Sequence, residues 1–117
     1  MHVAIHTAKD PGGKRFLATL QRRIAREEIR AWEVRRKKPL TLMHSGERYA
    51  DVRVTFSAAG SRGFTKDALG TFRDPEPTLM ATISGGASAD RVLGFLIGML
   101  TRHAKPLGVT GVGIPLG

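Results

Sequence analysis

The chain has no cysteine, which removes disulfides, thiolate metal ligands and cysteine nucleophiles together. Aromatic residues are scarce: five Phe, one Tyr and one Trp, 6% of 117 residues. A sheet paved with base-stacking aromatics, as in RNP-type single-strand binders, is therefore not written here. No apolar run approaches the ~20 residues that a bilayer demands. The longest, Val92 to Leu100, is broken by Gly94 and Gly98. Met1-His2-Val3-Ala4-Ile5-His6 has no basic segment leading into an apolar core, so no secretory leader is expected, and a cytoplasmic setting without a membrane is. Helix-turn-helix, zinc-finger and dinucleotide patterns are missing as well, and no cofactor is implied.

Acidic residues are also few, 10 against 19 Lys and Arg, for a net charge of +9. The excess is concentrated. Between Lys9 and Lys38 lie 11 basic and four acidic residues, so seven of the nine net charges fall in about a quarter of the chain. Such a field attracts polyanions. Arg15, Arg22, Arg26 and Arg30 are spaced by sevens and fours and share one side of a helix, with Arg23 beside them. The cluster Arg35-Arg36-Lys37-Lys38 follows at the helix exit. Arginine forks on such a ridge can grip phosphates bidentately. With no motif for reading bases, contact to the nucleic-acid backbone should dominate.

The pattern of elements points to an α+β domain spanning residues 1–117. Two helices pack on one face of a mixed or antiparallel sheet of four to six strands, close to a split βαβ sandwich. Val3-Ala4-Ile5 opens as a strand. Asp10-Pro11 signals a helix start, with Gly12 and Gly13 shifting it toward Lys14. Phe16, Leu17, Leu20 and Ile24 form the apolar stripe. The stripe drifts at Ile29 and Trp32, so the helix is expected to end near there, with a strand beginning at Trp32. Leu40–His44 reads as the next strand, and Ser45-Gly46-Glu47 as a hairpin turn. Residues 50–58 alternate apolar and polar with period two. A long Gly- and Pro-containing connection runs from Ala59 to Pro77, then a strand from Thr78 to Ser84. Ser88 is expected to cap a second, deeply buried helix that Pro106 stops, and Val109, Val112 and Ile114 suggest a last strand.

Three further constellations bear on function. Gly85, Gly86 and Ser88 join a strand to a helix, where free N–H groups suit an anion; the spacing matches no P-loop, and a tight strand-to-helix turn is the favoured explanation. His6 or His44 with Arg53 can be drawn as the acid, base and cation of a small ribonuclease-type toxin, whereas His103 suits a helix C-terminus. Gly94 and Gly98 have the small-xxx-small spacing that lets a helix sit flush on a sheet or on a second copy of itself. The favoured reading is a non-enzymatic polyanion binder, nucleic acid first, using Arg15 to Lys38. The alternative is a structural or adaptor protein, of a phage or secretion-machine kind, that assembles with itself or a partner through the long loop and the C-terminal tail.

Overall fold

The structure is a computed structural model and describes residues 1–58 and 77–115. In chain order its elements are β1 (His2–His6), α1 (Lys14–Ala25), β2 (Trp32–Lys37), β3 (Leu40–His44), β4 (Arg53–Ala58), β5 (Leu79–Ser84), α2 (Ala89–Arg102), α3 (Ala104–Leu107) and β6 (Gly111–Gly113). The strands form one sheet in the order β2-β3-β4-β5-β1-β6, and every neighbouring pair is antiparallel. The α+β class read from the sequence therefore holds. β5 and β6 both run antiparallel to β1, hence parallel to each other with β1 between them. The expected 59–77 connection lies outside the described residues except for its end at Pro77.

Cross-strand partners share a sheet face. Leu42, Val54 and Ile83 line up across three strands, as do Phe56, Ala81 and Val3. All six are at most 2% exposed. This inner face meets Phe16 of α1, whose ring lies 5.8 Å from that of Phe56. Val92, Leu96, Met99 and Leu100 of α2 belong to the same core. Each such fully buried side chain contributes roughly 1.5–3 kcal/mol. On the outer face a polar row crosses four strands: Thr41, Thr55, Thr82 and His2. His2 Nδ1 and the Thr82 hydroxyl lie 3.1 Å apart.

The start of α1 has an unusual cap. Pro11–Gly13 is a single 3-10 turn, and the residue before the helix, Gly13, has no side chain to offer. Asp10 reaches over that turn instead: its buried carboxylate accepts the Phe16 N–H at 2.8 Å and the Arg15 N–H at 3.2 Å. Gly13 is left-handed at φ +70°, and a Cβ there would overlap Leu79.

The end of α1 corrects the sequence reading. The helix stops at Ala25, not near Ile29 to Trp32. Glu27 takes a left-handed conformation, φ +60°. Its N–H donates to the Ile24 carbonyl and the Glu28 N–H to the Arg23 carbonyl, the paired bonds of a Schellman terminus. This turn swings Ile29 inward to 2% exposure, so the drift in the apolar stripe marks a reversal and not a continuing helix. Ala31 is left-handed too, φ +72°, and β2 then leaves from Trp32.

Elsewhere the boundaries shift for local reasons. Glu47–Tyr49 is a 3-10 turn, so β4 begins at Arg53 instead of Ala50. Ser88 makes no side-chain cap, and α2 is not buried all round: Arg91, Gly94 and Phe95 are exposed. Pro106 does not terminate α2. It sits inside the one-turn α3, where proline is tolerated because first-turn N–H groups have no intrahelical partner.

Candidate polyanion interface

On α1 the core claims Phe16 and Leu20, with Leu17 and Ile24 at its margin. Arg15, Arg22 and Arg26 fall within ~40° of one another on the opposite side at 100° per residue, and all three are exposed. Arg23 turns toward the helix end and pairs with Glu28 at 3.4 Å, the one ion pair among the described residues. An exposed pair of this kind contributes at most about 1 kcal/mol, so most of the positive charge here is uncompensated. Arg30 lies beyond the helix, its Nε donating to the Glu27 carbonyl in a long 3.5 Å contact.

The second half of the basic segment is the edge strand β2. A bulge interrupts its pairing: Val34 opposes Leu42, but Arg36 opposes Thr41. Arg35 is the extra residue. In an unbulged strand, strict alternation would turn Arg36 toward the inner face with Trp32 and Val34. With the bulge, Arg36 joins Thr41 on the outer face. Lys37 and Lys38 sit at the hairpin end, and all four residues from Arg35 to Lys38 are exposed. The ridge expected from the sequence is thus a belt. Arg15, Arg22 and Arg26 occupy the solvent side of α1 over the inner face, Arg35 and Arg36 the sheet edge and outer face, and Arg30, Lys37 and Lys38 the turns.

Two other candidates are accounted for by packing or separation. Gly85 and Gly86 are left-handed, at φ +89° and +71°. A Cβ on Gly85 would overlap the Asp51 carbonyl oxygen, and one on Gly86 would crowd Val52. The glycines let this turn lie against the chain's own backbone. Asp51 beside it and Asp90 in the first turn of α2 work against an anion at Gly85, Gly86 and Ser88. The ribonuclease arrangement is not assembled. His44 belongs to the inner-face set with Leu42, whereas His6 and Arg53 alternate onto the outer face. Arg53 pairs across from Ser84 at one end of β5, and His6 lies beyond Leu79 at the other. The Arg53 guanidinium donates to the Ala50 and Val52 carbonyls. No cluster of three potential metal ligands occurs among the described residues.

The structure also gathers a group that sequence reading missed. Trp32, His44, Tyr49 and Phe95 come from β2, β3, the 3-10 turn and α2. His44 stacks on Phe95 at 4.8 Å and meets Trp32 and Tyr49 edge-on. Its Nδ1 accepts the Gly46 N–H at 3.1 Å, which places the neutral ring's proton on Nε2. Burial lowers its pKa from 6.5. Four residues separated by up to 63 positions leave no local pattern to find.

Gly94 and Gly98 differ from the expectation of a helix lying flush on the sheet. A Cβ at either would meet nothing within 4 Å among the described residues. No helix among them is long and apolar enough to cross a membrane. Compared with models of protein families, with curated proteins and with solved structures, the chain matches none.

Proposed function

We propose that this protein is a non-enzymatic, cytoplasmic module that binds a polyanion, nucleic acid foremost, through backbone contacts. The observation that carries this reading is the basic belt. Arg15, Arg22, Arg26, Arg30, Arg35, Arg36, Lys37 and Lys38 are all exposed around α1 and the adjoining β2 edge, and only Arg23 has a carboxylate partner among the described residues. A belt that turns around a sheet edge suits a ligand that can follow it, such as a phosphodiester chain. It offers no single flat face to a protein.

The test is fluorescence anisotropy with labelled single-stranded and duplex DNA and RNA at low and physiological salt. Affinity should fall steeply with salt, with a log–log slope near −0.9 per neutralised phosphate on duplex DNA. Arg22→Glu with Arg26→Glu should flatten that slope by about two or more while leaving the fold intact. Binding that vanishes at physiological salt, or a double variant that binds as well as the parent, overturns the reading.

A second reading, assembly with itself or a protein partner, draws on surfaces that carry none of the belt's arginines and lysines. Phe95 and Ile114 are exposed, Gly94 and Gly98 are open, and β6 is a three-residue edge strand. A defined oligomer in light scattering, unaffected by the arginine changes, would favour it.

A further inference from the structure

The two halves of the belt lie on opposite sides of the sheet. Arg15, Arg22 and Arg26 stand on the solvent side of α1, over the inner face. Arg15 and Arg26 are roughly 16 Å apart at 1.5 Å per helical residue. Arg36 stands on the outer face, where the β2 bulge puts it opposite Thr41. At least the diameter of a helix, about 10 Å, separates the two levels. Bulges are over-represented beside functional sites, where they re-aim a side chain. This one aims a cation at the outer face and leaves another, Arg35, exposed at the edge between the two sides.

Arg36 does not stand alone on its face. It heads a row that crosses five strands through Thr41, Thr55, Thr82 and His2. Four steps of about 4.8 Å make that row roughly 19 Å long. No carboxylate stands in it; Glu33 lies in the neighbouring row, opposite Met43. Arg36 and His2 are exposed, and Thr55 and Thr82 are half-buried. Thr41 is 9% exposed and its hydroxyl donates to the Pro39 carbonyl, so it floors the row without offering a donor. Arginine forks and hydroxyls are the groups that hold phosphates.

We infer that the belt takes a single-stranded polynucleotide in preference to a duplex, one strand passing from α1 around the β2 edge onto the outer-face row. The inference rests on the polyanion reading and names the form of its ligand. Duplex DNA has a persistence length of about 50 nm. Over the few nanometres of this protein it is a straight rod, and a rod seated on α1 passes the sheet edge without reaching the other side. A single strand can bend at each phosphodiester. Its phosphates can therefore meet the α1 arginines, Arg35 at the edge and Arg36 beyond it in succession. DNA and RNA strands share the chemistry that this path reads.

Fluorescence anisotropy of the intact protein, at low and physiological salt, tests this with three labelled probes of one sequence. They are a 12-nucleotide DNA strand free of self-pairing, its RNA counterpart and the 12-base-pair DNA duplex. Twelve nucleotides suffice, since the helix stretch and the row together need about ten at 3.4 Å each. The tighter of the two strands, which identifies the sugar, should bind about tenfold or more tightly than the duplex, with one strand per protein at saturation. Arg36→Gln should weaken strand binding about tenfold and flatten its log–log salt slope by about 0.7, the value for one phosphate on a single strand. The same change should leave duplex affinity as it was, which also shows that the variant is folded. Arg22→Glu with Arg26→Glu should weaken strand and duplex together. A duplex bound as tightly as the strands, two strands per protein, or an Arg36→Gln change that weakens strand and duplex alike or neither overturns the path around the edge and leaves the polyanion reading standing. No binding of any probe overturns both.

Discussion

Trp32 and His44 face each other across the β2–β3 ladder, ring centroids 5.3 Å apart and planes at 79°. The neutral imidazole is wedged among three aromatic rings, and its Nδ1 is already taken by the Gly46 N–H. Protonation would turn that acceptor into a donor facing a donor. The folded state therefore holds the His44 pKa below 6.5 through burial, while the unfolded chain titrates near 6.5. Below 6.5 the unfolded state binds the proton more readily, so stability present above that pH is lost as pH falls through this window. Urea midpoints at pH 7.5, 6.5 and 5.5 should decline on the acid side, and His44→Phe should reduce the decline. An unchanged decline in His44→Phe would place its cause elsewhere.

The left-handed residues yield a stability prediction of the opposite sign from most substitutions. Ala31→Gly relieves a backbone conformation that a Cβ disfavours, at some cost in unfolded-state entropy. A net gain of about 0.5–1 kcal/mol is expected, read as a higher melting temperature. Glu27→Gly should behave in the same way, since glycine is the residue most used at this position of a helix end.

At the other end of α1 the direction reverses. Asp10→Ala removes the carboxylate that accepts the Phe16 and Arg15 N–H groups, a loss of about 1–2 kcal/mol for a cap. Gly13→Ala should cost more, because it combines positive φ with overlap against Leu79. Chemical denaturation of the two variants orders them, and a Gly13→Ala protein as stable as the parent would contradict the packing described here.

Gly94→Ala and Gly98→Ala probe the open side of α2. With nothing among the described residues within 4 Å of either added Cβ, each should stabilise the helix by roughly 0.5–1 kcal/mol. If a second chain instead covers this side, the same changes would weaken an oligomer in light scattering.

Much of the sheet was legible because the signals were local. The alternation through Val52, Val54 and Phe56 and the short run Leu40–His44 carried their faces with them. The β2 bulge was not legible, since it depends on how Arg36 opposes Thr41 on another strand. The helix end was misread for a related reason. Ile29 departs from the stripe in Phe16, Leu20 and Ile24, and that drift was read as the last turn of the helix, because a left-handed Glu27 carries no glycine to announce an earlier stop. The charged residues of the belt were plain in the sequence, and their division between the two sides of the sheet edge was not.

The place of β1 carries a consequence for synthesis. Among the described residues, β1 pairs with β5 and β6, strands that begin at Leu79 and Gly111. A nascent chain emerging N-terminus first offers neither of these partners to residues 2–6 until translation has reached Leu79. Its arginine-rich helix has no complete sheet to pack against in that interval. Pairing over such sequence distances closes large loops and is slow, so a polycationic, partly apolar segment spends the time of translation exposed beside ribosomal RNA. Arrest of ribosomes at successive lengths, followed by protease digestion, should find the segment around α1 cleavable until β5 has cleared the exit tunnel.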